Sequence, residues 1–308
     1  MSDPARDYRA IPLGALPSPK DYRDWRLSRI APVREAWPDE WTLPFHPPIR
    51  NQGNVGACVA FSLSRCLEYF EWRERGHTEG ISKGYIYAKR ADTDYQGEGM
   101  YPRQALDNLR KWGSCHEADF PTVADYPTLK PLLTKELDVA AEPHVITGYA
   151  AVQTEAEFKS ALAYLGPVSI TIPVYDSFYA GGDLPLPDTA KERLWGYHQV
   201  TVEGWRGQRW VCANSWGEDW GTKGWFTIPF TYPIVEAWSV TDDIVLPEKW
   251  LVLTLGSRTM TDNGFEYEMD VAPFARDGRT FVPLRFVAEH LGCKVDWVQE
   301  KQQVVITK

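Results

Sequence analysis

Residues 51–62 read NQGNVGACVAFS, a polar, glycine-containing turn that runs straight into an apolar segment. Beyond it, Val59, Leu63, Cys66, Leu67 and Phe70 recur at helical spacing and predict a helix over residues 57–75. Cys58 then stands in the first turn of that helix. There the unpaired backbone N–H groups and the positive end of the helix dipole point at its sulfur. That setting favours the thiolate, the form in which a thiol attacks. A lone helix cysteine is usually core filling. Chemistry therefore requires partners elsewhere in the chain.

Two kinds of partner are needed, a base and a set of oxyanion donors. The Cys58 backbone N–H supplies one donor, and the side-chain amide of Gln52, in the same turn, supplies a second. Of the six histidines, His46 and His77 lie in polar or proline-rich surroundings, His116 and His144 lie beside carboxylates, and His290 ends a helix near the C-terminus. His198 differs, because it opens an alternating strand-like run, YHQVTVEGW. Its separation from Cys58 suits a Cys–His site whose members meet only in the fold. Asn214, in ANSWGEDWG, is placed to hold the imidazole, with Trp216 as a shield against water. Each of these residues alone has an ordinary packing or turn role. Gln, Cys, His and Asn-Ser-Trp-Gly in this order read as one site.

Composition narrows the alternatives. The net charge of −9 and scattered Lys and Arg exclude a nucleic-acid groove binder and a polybasic membrane patch. No apolar run approaches the roughly 20 residues of a membrane helix, so membrane insertion is not expected. Five cysteines without CxxC spacing argue against a structural zinc site and demand no disulfide. Tryptophan beside glycine, at Trp216–Gly217 and Trp220–Gly221, suggests aromatic walls in tight loops.

Along the chain, residues 1–45 are rich in proline and charge. Tyr8, Ile11, Leu13, Leu16, Tyr22 and Trp25 give them enough anchors for an arm packed on the body, with one short helix around 20–30. RQALDNLRKW (103–112) and TEAEFKSALAYL (154–165) are amphipathic helices, the second opening on a Thr154–Glu157 capping box. From 166 the pattern turns to short strands: PVSITIPV, YHQVTVEGW, QRWVCANSW and GWFTIPF. Helices followed by strands imply an α+β body of two lobes. The pattern breaks around Thr241–Asp243 and Pro247, and 249–308 has its own plan: strands at 250–255, 265–271, 280–282, 294–297 and 303–307 and a helix at 284–291. The expected domains are therefore 1–45, 46–245 and 246–308.

The body resembles the papain-like (C1) cysteine peptidases. The resemblance is carried in family order by NQGNVGACVAFS, GEGMYPRQALDNLRKWG, GPVSITI with FYAGG, YHQVTVEGW and NSWGEDWGTKGWFTI. It implies a helical left lobe and a β-rich right lobe with a cleft between them. It also implies Cys58 as nucleophile, His198 as general base and acid, Asn214 as orienter and Gln52 in the oxyanion hole. Gly97 and Gly99 fall where glycines let a substrate backbone lie close to the wall. Thr171, Gly196 and Gln199 fall beside the main side-chain pocket, which reads as polar or shallow, and Trp216 lies nearby. Two positions depart from the pattern: Val55 replaces a cysteine three residues before the nucleophile, and Val59 replaces the aromatic after it. The first removes half of the family's left-lobe disulfide.

The implied function is an endopeptidase working through a Cys58 thiolate, a His198 imidazolium and an acyl-enzyme on peptide or protein substrates, without cofactor or metal. An acyltransferase or ligase on the same residues, and a catalytically silent binding or scaffold protein, are the alternatives. Residues 1–45 lack the long helical pattern of the family's usual prosegment and resemble the short leader of bacterial relatives, as either a belt or a plug. GRTFVPLRFVAEHLGCKVDWVQEKQQVVITK resembles the copper amine oxidase N-terminal-like stalk domain, which implies surface or scaffold attachment through 246–308. That name implies no copper site, and His290 with Cys293 does not make one. With no apolar leader visible, the chain as written reads as cytoplasmic, or as secreted or cell-surface if a leader was removed.

Overall fold

The computed structural model describes residues 7–21, 24–90, 97–121, 123–241, 251–262, 265–291 and 293–307. Contacts divide the chain into two compact units, Met1–Ile244 and Val245–Lys308. The break expected at 241–243 and Pro247 lies, apart from Thr241, outside the described residues, as does Tyr22.

In the first unit the helices are α1 (Leu27–Ile30), α2 (Cys58–Arg75), α3 (Lys83–Ala88), α4 (Pro102–Trp112), α5 (Tyr126–Leu129), α6 (Lys135–Ala141) and α7 (Glu155–Tyr164). The helix opened by the turn at 51–57 is therefore present as expected. It ends where Gly76 adopts a positive φ of 76° and returns its N–H to the Trp72 carbonyl. The Thr154–Glu157 capping box at the start of α7 is formed in both directions. The arm helix is shorter than expected, a single turn at α1.

The strands are β1 (Glu40–Thr42), β2 (Gly148–Ala151), β3 (Val168–Tyr175), β4 (Gly182–Asp183), β5 (Leu194–Arg206), β6 (Arg209–Ala213), β7 (Trp225–Pro229) and β8 (Glu236–Thr241). They form one sheet in the order β2-β8-β3-β5-β6-β7-β4, with β1 pairing on β5. The sheet is antiparallel except for β4 against β7. β5 is the longest strand and its interior is buried, which fixes His198 opposite Ile172 of β3.

Apolar residues gather in two cores. One surrounds α2, α3 and α4, with Leu63, Phe70, Tyr85 and Leu106; the other fills the sheet and α7, with Phe158, Val168, Val202, Trp210 and Phe226. The seam between α2 and the sheet is polar. Ser62 Oγ lies 2.7 Å from Ser169 Oγ and 2.9 Å from Thr201 Oγ1. One turn further along α2, Arg65 pairs with the fully buried Glu203, whose Oε2 also meets His46 Nδ1 at 2.6 Å. Removing either partner would leave a buried charge uncompensated, a loss of about 3–5 kcal/mol.

The second unit carries strands β9 (Leu251–Leu253), β10 (Thr259–Asp262), β11 (Phe265–Glu268), β12 (Phe274–Arg276), β13 (Arg279–Phe281), β14 (Lys294–Val298) and β15 (Gln303–Thr307), with helix α8 (Leu284–His290). Strands β10 and β12 were not expected from the sequence. The signal for β12 was present in Asp277–Gly278, which turn the chain at φ of 51° and 69° into β13.

Candidate active site

The turn at 51–57 delivers Cys58 to the N-terminus of α2, and no side chain caps that end. The sulfur therefore faces bare N–H groups, those of Cys58 and Val59 from the helix and that of Gln199 from β5. Since Gln199 follows His198, this contact brings the β5 backbone beside His198 to the Cys58 sulfur. His198 Nε2 donates to Asn214 Oδ1 at 2.7 Å, and the same oxygen accepts the Ser215 N–H at 2.8 Å. That bond fixes the tautomer with the proton on Nε2. Nδ1 is left as the basic nitrogen, buried and with no hydrogen-bond partner.

Trp216 roofs this bond. Its ring is fully buried, 4.9 Å from the imidazole centroid, within a nest of Phe178, Tyr179 and Trp220. The Trp–Gly loops thus form the aromatic wall that their composition suggested. Gln52 is held by Ser215 Oγ, which donates to its Oε1 at 2.7 Å.

The cleft is occupied by the chain's own arm. Gly14 lies on the sulfur, with its N–H facing Cys58 Sγ. Met100 N–H donates to the Gly14 carbonyl at 2.9 Å, Leu16 N–H to the Met100 carbonyl at 3.1 Å, and Ala15 N–H to the Tyr197 carbonyl at 3.3 Å. The arm is thereby stitched to both walls, running parallel to the segment at Met100. Gln52 Nε2, the expected second oxyanion donor, spends its two hydrogens on the carbonyls of Pro12 (3.1 Å) and Val55 (2.8 Å). Glycine is required at the crossing. A Cβ on Gly14 would sit 1.7 Å from the Gly56 carbonyl oxygen, and one on Gly99, at φ +107°, would sit 2.6 Å from the Gly14 oxygen.

Further along, the arm lies against the sheet and α7. Ala151 N–H donates to the Trp25 carbonyl, Arg34 N–H donates to Ser160 Oγ, and Trp41 stacks on Trp205 as β1 joins β5.

Burial under the arm decides the charge state. Desolvation pushes the Cys58 thiol up to about 11, although the surrounding N–H groups of Gln199, Gly14, Val59 and Cys58 itself pull the other way. The same desolvation brings His198 down to about 4 against the opposing hydrogen bond to Asn214. Both shifts favour a neutral thiol and a neutral imidazole while the arm covers them, and the pull of the helix N-terminus on the sulfur is opposed by its seclusion from water.

Among the expected pocket residues, Thr171 and Gln199 face each other across β3 and β5, with the Thr171 hydroxyl donating to Gln199 Oε1. Gln199 Nε2 donates to Ser169 Oγ at 2.7 Å. Gly196, at φ +149°, packs against Leu13 of the arm. Gly99 lines the crossing, whereas Gly97 is exposed. Two residues at this wall were missed. Met100 supplies the backbone that pairs with the arm. Glu236 of β8, opposite Thr171, has its Oε1 3.2 Å from the Thr171 hydroxyl oxygen and accepts the Ser18 N–H there at 3.0 Å. The only signal for Glu236 was a carboxylate in a strand with no other charge. All five cysteines are unpaired with one another, in keeping with Val55 in place of a disulfide partner.

Comparison with known proteins places the chain by family and fold. Residues 39–233 match the family described as papain family cysteine protease, and residues 238–306 match the copper amine oxidase N-terminal domain. Falcipain-2b of Plasmodium falciparum is 27% identical over 193 residues, covering 59% of this chain and 39% of that protein. Procathepsin L of Rattus norvegicus is 28% identical over 195 residues, covering 59% and 56%. The chain thus spans 39% and 56% of the length of these curated relatives. Among solved structures, xylellain, a cysteine protease from Xylella fastidiosa, superposes with a TM-score of 0.65 at 23% identity, over 77% of this chain and 98% of that one. At that identity the likeness concerns the fold. Copper does not fit the described residues of the second unit, where no three metal-ligating side chains converge.

Proposed function

The chain belongs to the papain family of cysteine proteases, and from that premise we propose that it is an endopeptidase whose cleft its own N-terminal arm keeps closed. When the arm leaves, water and substrate reach Cys58, and its proton passes to His198 Nδ1. The thiolate attacks the scissile carbonyl, and the Cys58 N–H and Gln52 Nε2 hold the oxyanion. His198 gives its proton to the leaving amine, leaving a thioester on Cys58. Water, deprotonated by His198, then hydrolyses it. Asn214 keeps the imidazole turned throughout.

One observation carries this reading. An extended peptide backbone already crosses the sulfur between Met100 and Tyr197, with the Pro12 carbonyl on the Gln52 amide. The cleft is built to hold a peptide. The module from 246 onward is proposed as an attachment or spacer unit. The test is hydrolysis of an unfolded protein by a chain lacking residues 1–20, beside the same chain carrying Cys58→Ala. Turnover is expected only with Cys58, and equal turnover in both would sink the assignment. Amide products formed from an added amine would assign acyl transfer instead.

A further inference from the structure

The left lobe holds a second convergence of reactive side chains, unrelated to the cleft. Glu71 lies thirteen residues beyond Cys58 on α2, roughly 20 Å away at 1.5 Å per residue. His116 Nε2 lies 2.9 Å and His144 Nδ1 3.1 Å from the same Glu71 oxygen, Oε1. All three donor atoms lie within 4.8 Å of one another, and among the described residues no other three His, Cys, Asp or Glu side chains converge in this way. We propose that Glu71, His116 and His144 bind one divalent cation of the zinc type, with a fourth position left to water.

Four features support a built site. Zinc bound at about 2.0 Å to each of two imidazoles and a carboxylate holds neighbouring tetrahedral donors about 3.3 Å apart, close to the 2.9 and 3.1 Å seen here. The donor set, two imidazoles and one carboxylate, is one that zinc takes readily. Outer partners fix the donors: Thr78 Oγ1 donates to Glu71 Oε2 at 2.7 Å, and His116 Nδ1 faces Glu79 Oε2 at 3.6 Å. The backbone brings separate segments together. His116 bridges to Ile81, and a Cβ on Gly113 would strike the Ala141 carbonyl oxygen at 2.2 Å and the His144 carbonyl carbon at 2.9 Å. Side-chain exposure is 7% for Glu71, 8% for His144 and 18% for His116, leaving a narrow entry on the His116 side. The cysteine spacing that argued against zinc concerned thiolate sites, and this one uses none.

The cation would clasp the end of α2, the loop at 78–81 and the segments at 116 and 144. The experiment loads the full chain with one equivalent of zinc chloride, passes it through gel filtration and records zinc X-ray absorption. One zinc per chain is expected, with imidazole scattering and only nitrogen and oxygen neighbours. His116→Gln and His144→Asn, which keep a hydrogen-bond donor toward Glu71, are each expected to weaken binding on the order of 100-fold. No retained zinc, sulfur among its neighbours, or binding undiminished in either variant would overturn the proposal. The absorption measurement needs no variant, so a variant that misfolds cannot shelter it.

Discussion

At the Cys58 sulfur two effects compete. A helix N-terminus stabilises an adjacent anion by up to about 2 kcal/mol, which is about 1.5 pKa units. Complete burial outweighs that and leaves the thiol at about 11. Reactivity is thus set by access to water as much as by the helix. On the open enzyme, Cys58→Ala is expected to lower turnover on the order of 10⁴-fold or more. Asn214→Ala is expected to lower kcat by roughly 100-fold with little change in KM, because it misplaces the imidazole without touching substrate. Glu236 puts a carboxylate beside Thr171, so peptides with a cationic side chain in that pocket are expected to be cleaved in preference to those with Phe. Glu236→Gln is expected to remove the preference, and steady-state kcat/KM on paired peptides reads it. Cys58, Asn214 and Gln52 stood out as candidates in the sequence because each sits at an element boundary or in a turn, and His198, inside β5, because its residue type carries the chemistry. Glu236 did not, since only the pairing of β8 with β3 brings it to the pocket.

Among elements, the arm has two parts with different duties. Residues 25–42 lie on the body so that their removal would expose Trp205 and Ser160 of α7. Residues 12–16 hold by four hydrogen bonds to Gln52, Met100 and Tyr197, each contributing about 0.5–1.5 kcal/mol. Gly14→Val is expected to lift this segment without unfolding the body. Alkylation of Cys58 by iodoacetamide near pH 6 should then accelerate at least about tenfold, the equivalent of losing 1.4 kcal/mol of closure. An unchanged rate, with circular dichroism unchanged, would count against closure by the arm. Composition predicted that these residues would pack on the body. It could not distinguish belt from plug, because both need apolar anchors on an extended, proline-rich chain. The choice is made by long-range backbone pairing with Met100 and Tyr197.

For the molecule as a whole, the closed and open states differ in the protons they hold. His198 falls from 6.5 to about 4 in the closed state. A histidine that closure holds neutral leaves closure unopposed above its ordinary range and opposes it progressively as pH falls toward 4. Acid is therefore expected to open the cleft. The fraction of Cys58 accessible to a fast thiol reagent in brief pulses should rise between pH 6.5 and 4 in the full chain. It should stay flat in a chain lacking residues 1–20. The two-lobed plan was legible from helices followed by strands. The polar seam of Ser62, Ser169 and Thr201 was not, because nothing local marks a serine that will meet two others more than a hundred residues away.

The crossing of Gly14 with Gly56 and Gly99 has a consequence for heredity. Three backbones touch there because none carries a side chain, so the closed state is written in missing atoms. A nucleotide change that introduces a side chain at codon 14 can only slacken the seal and cannot tighten it. A lineage that depends on keeping this protein quiet has only glycine codons to use there, while one that gains from unchecked activity is a single base away.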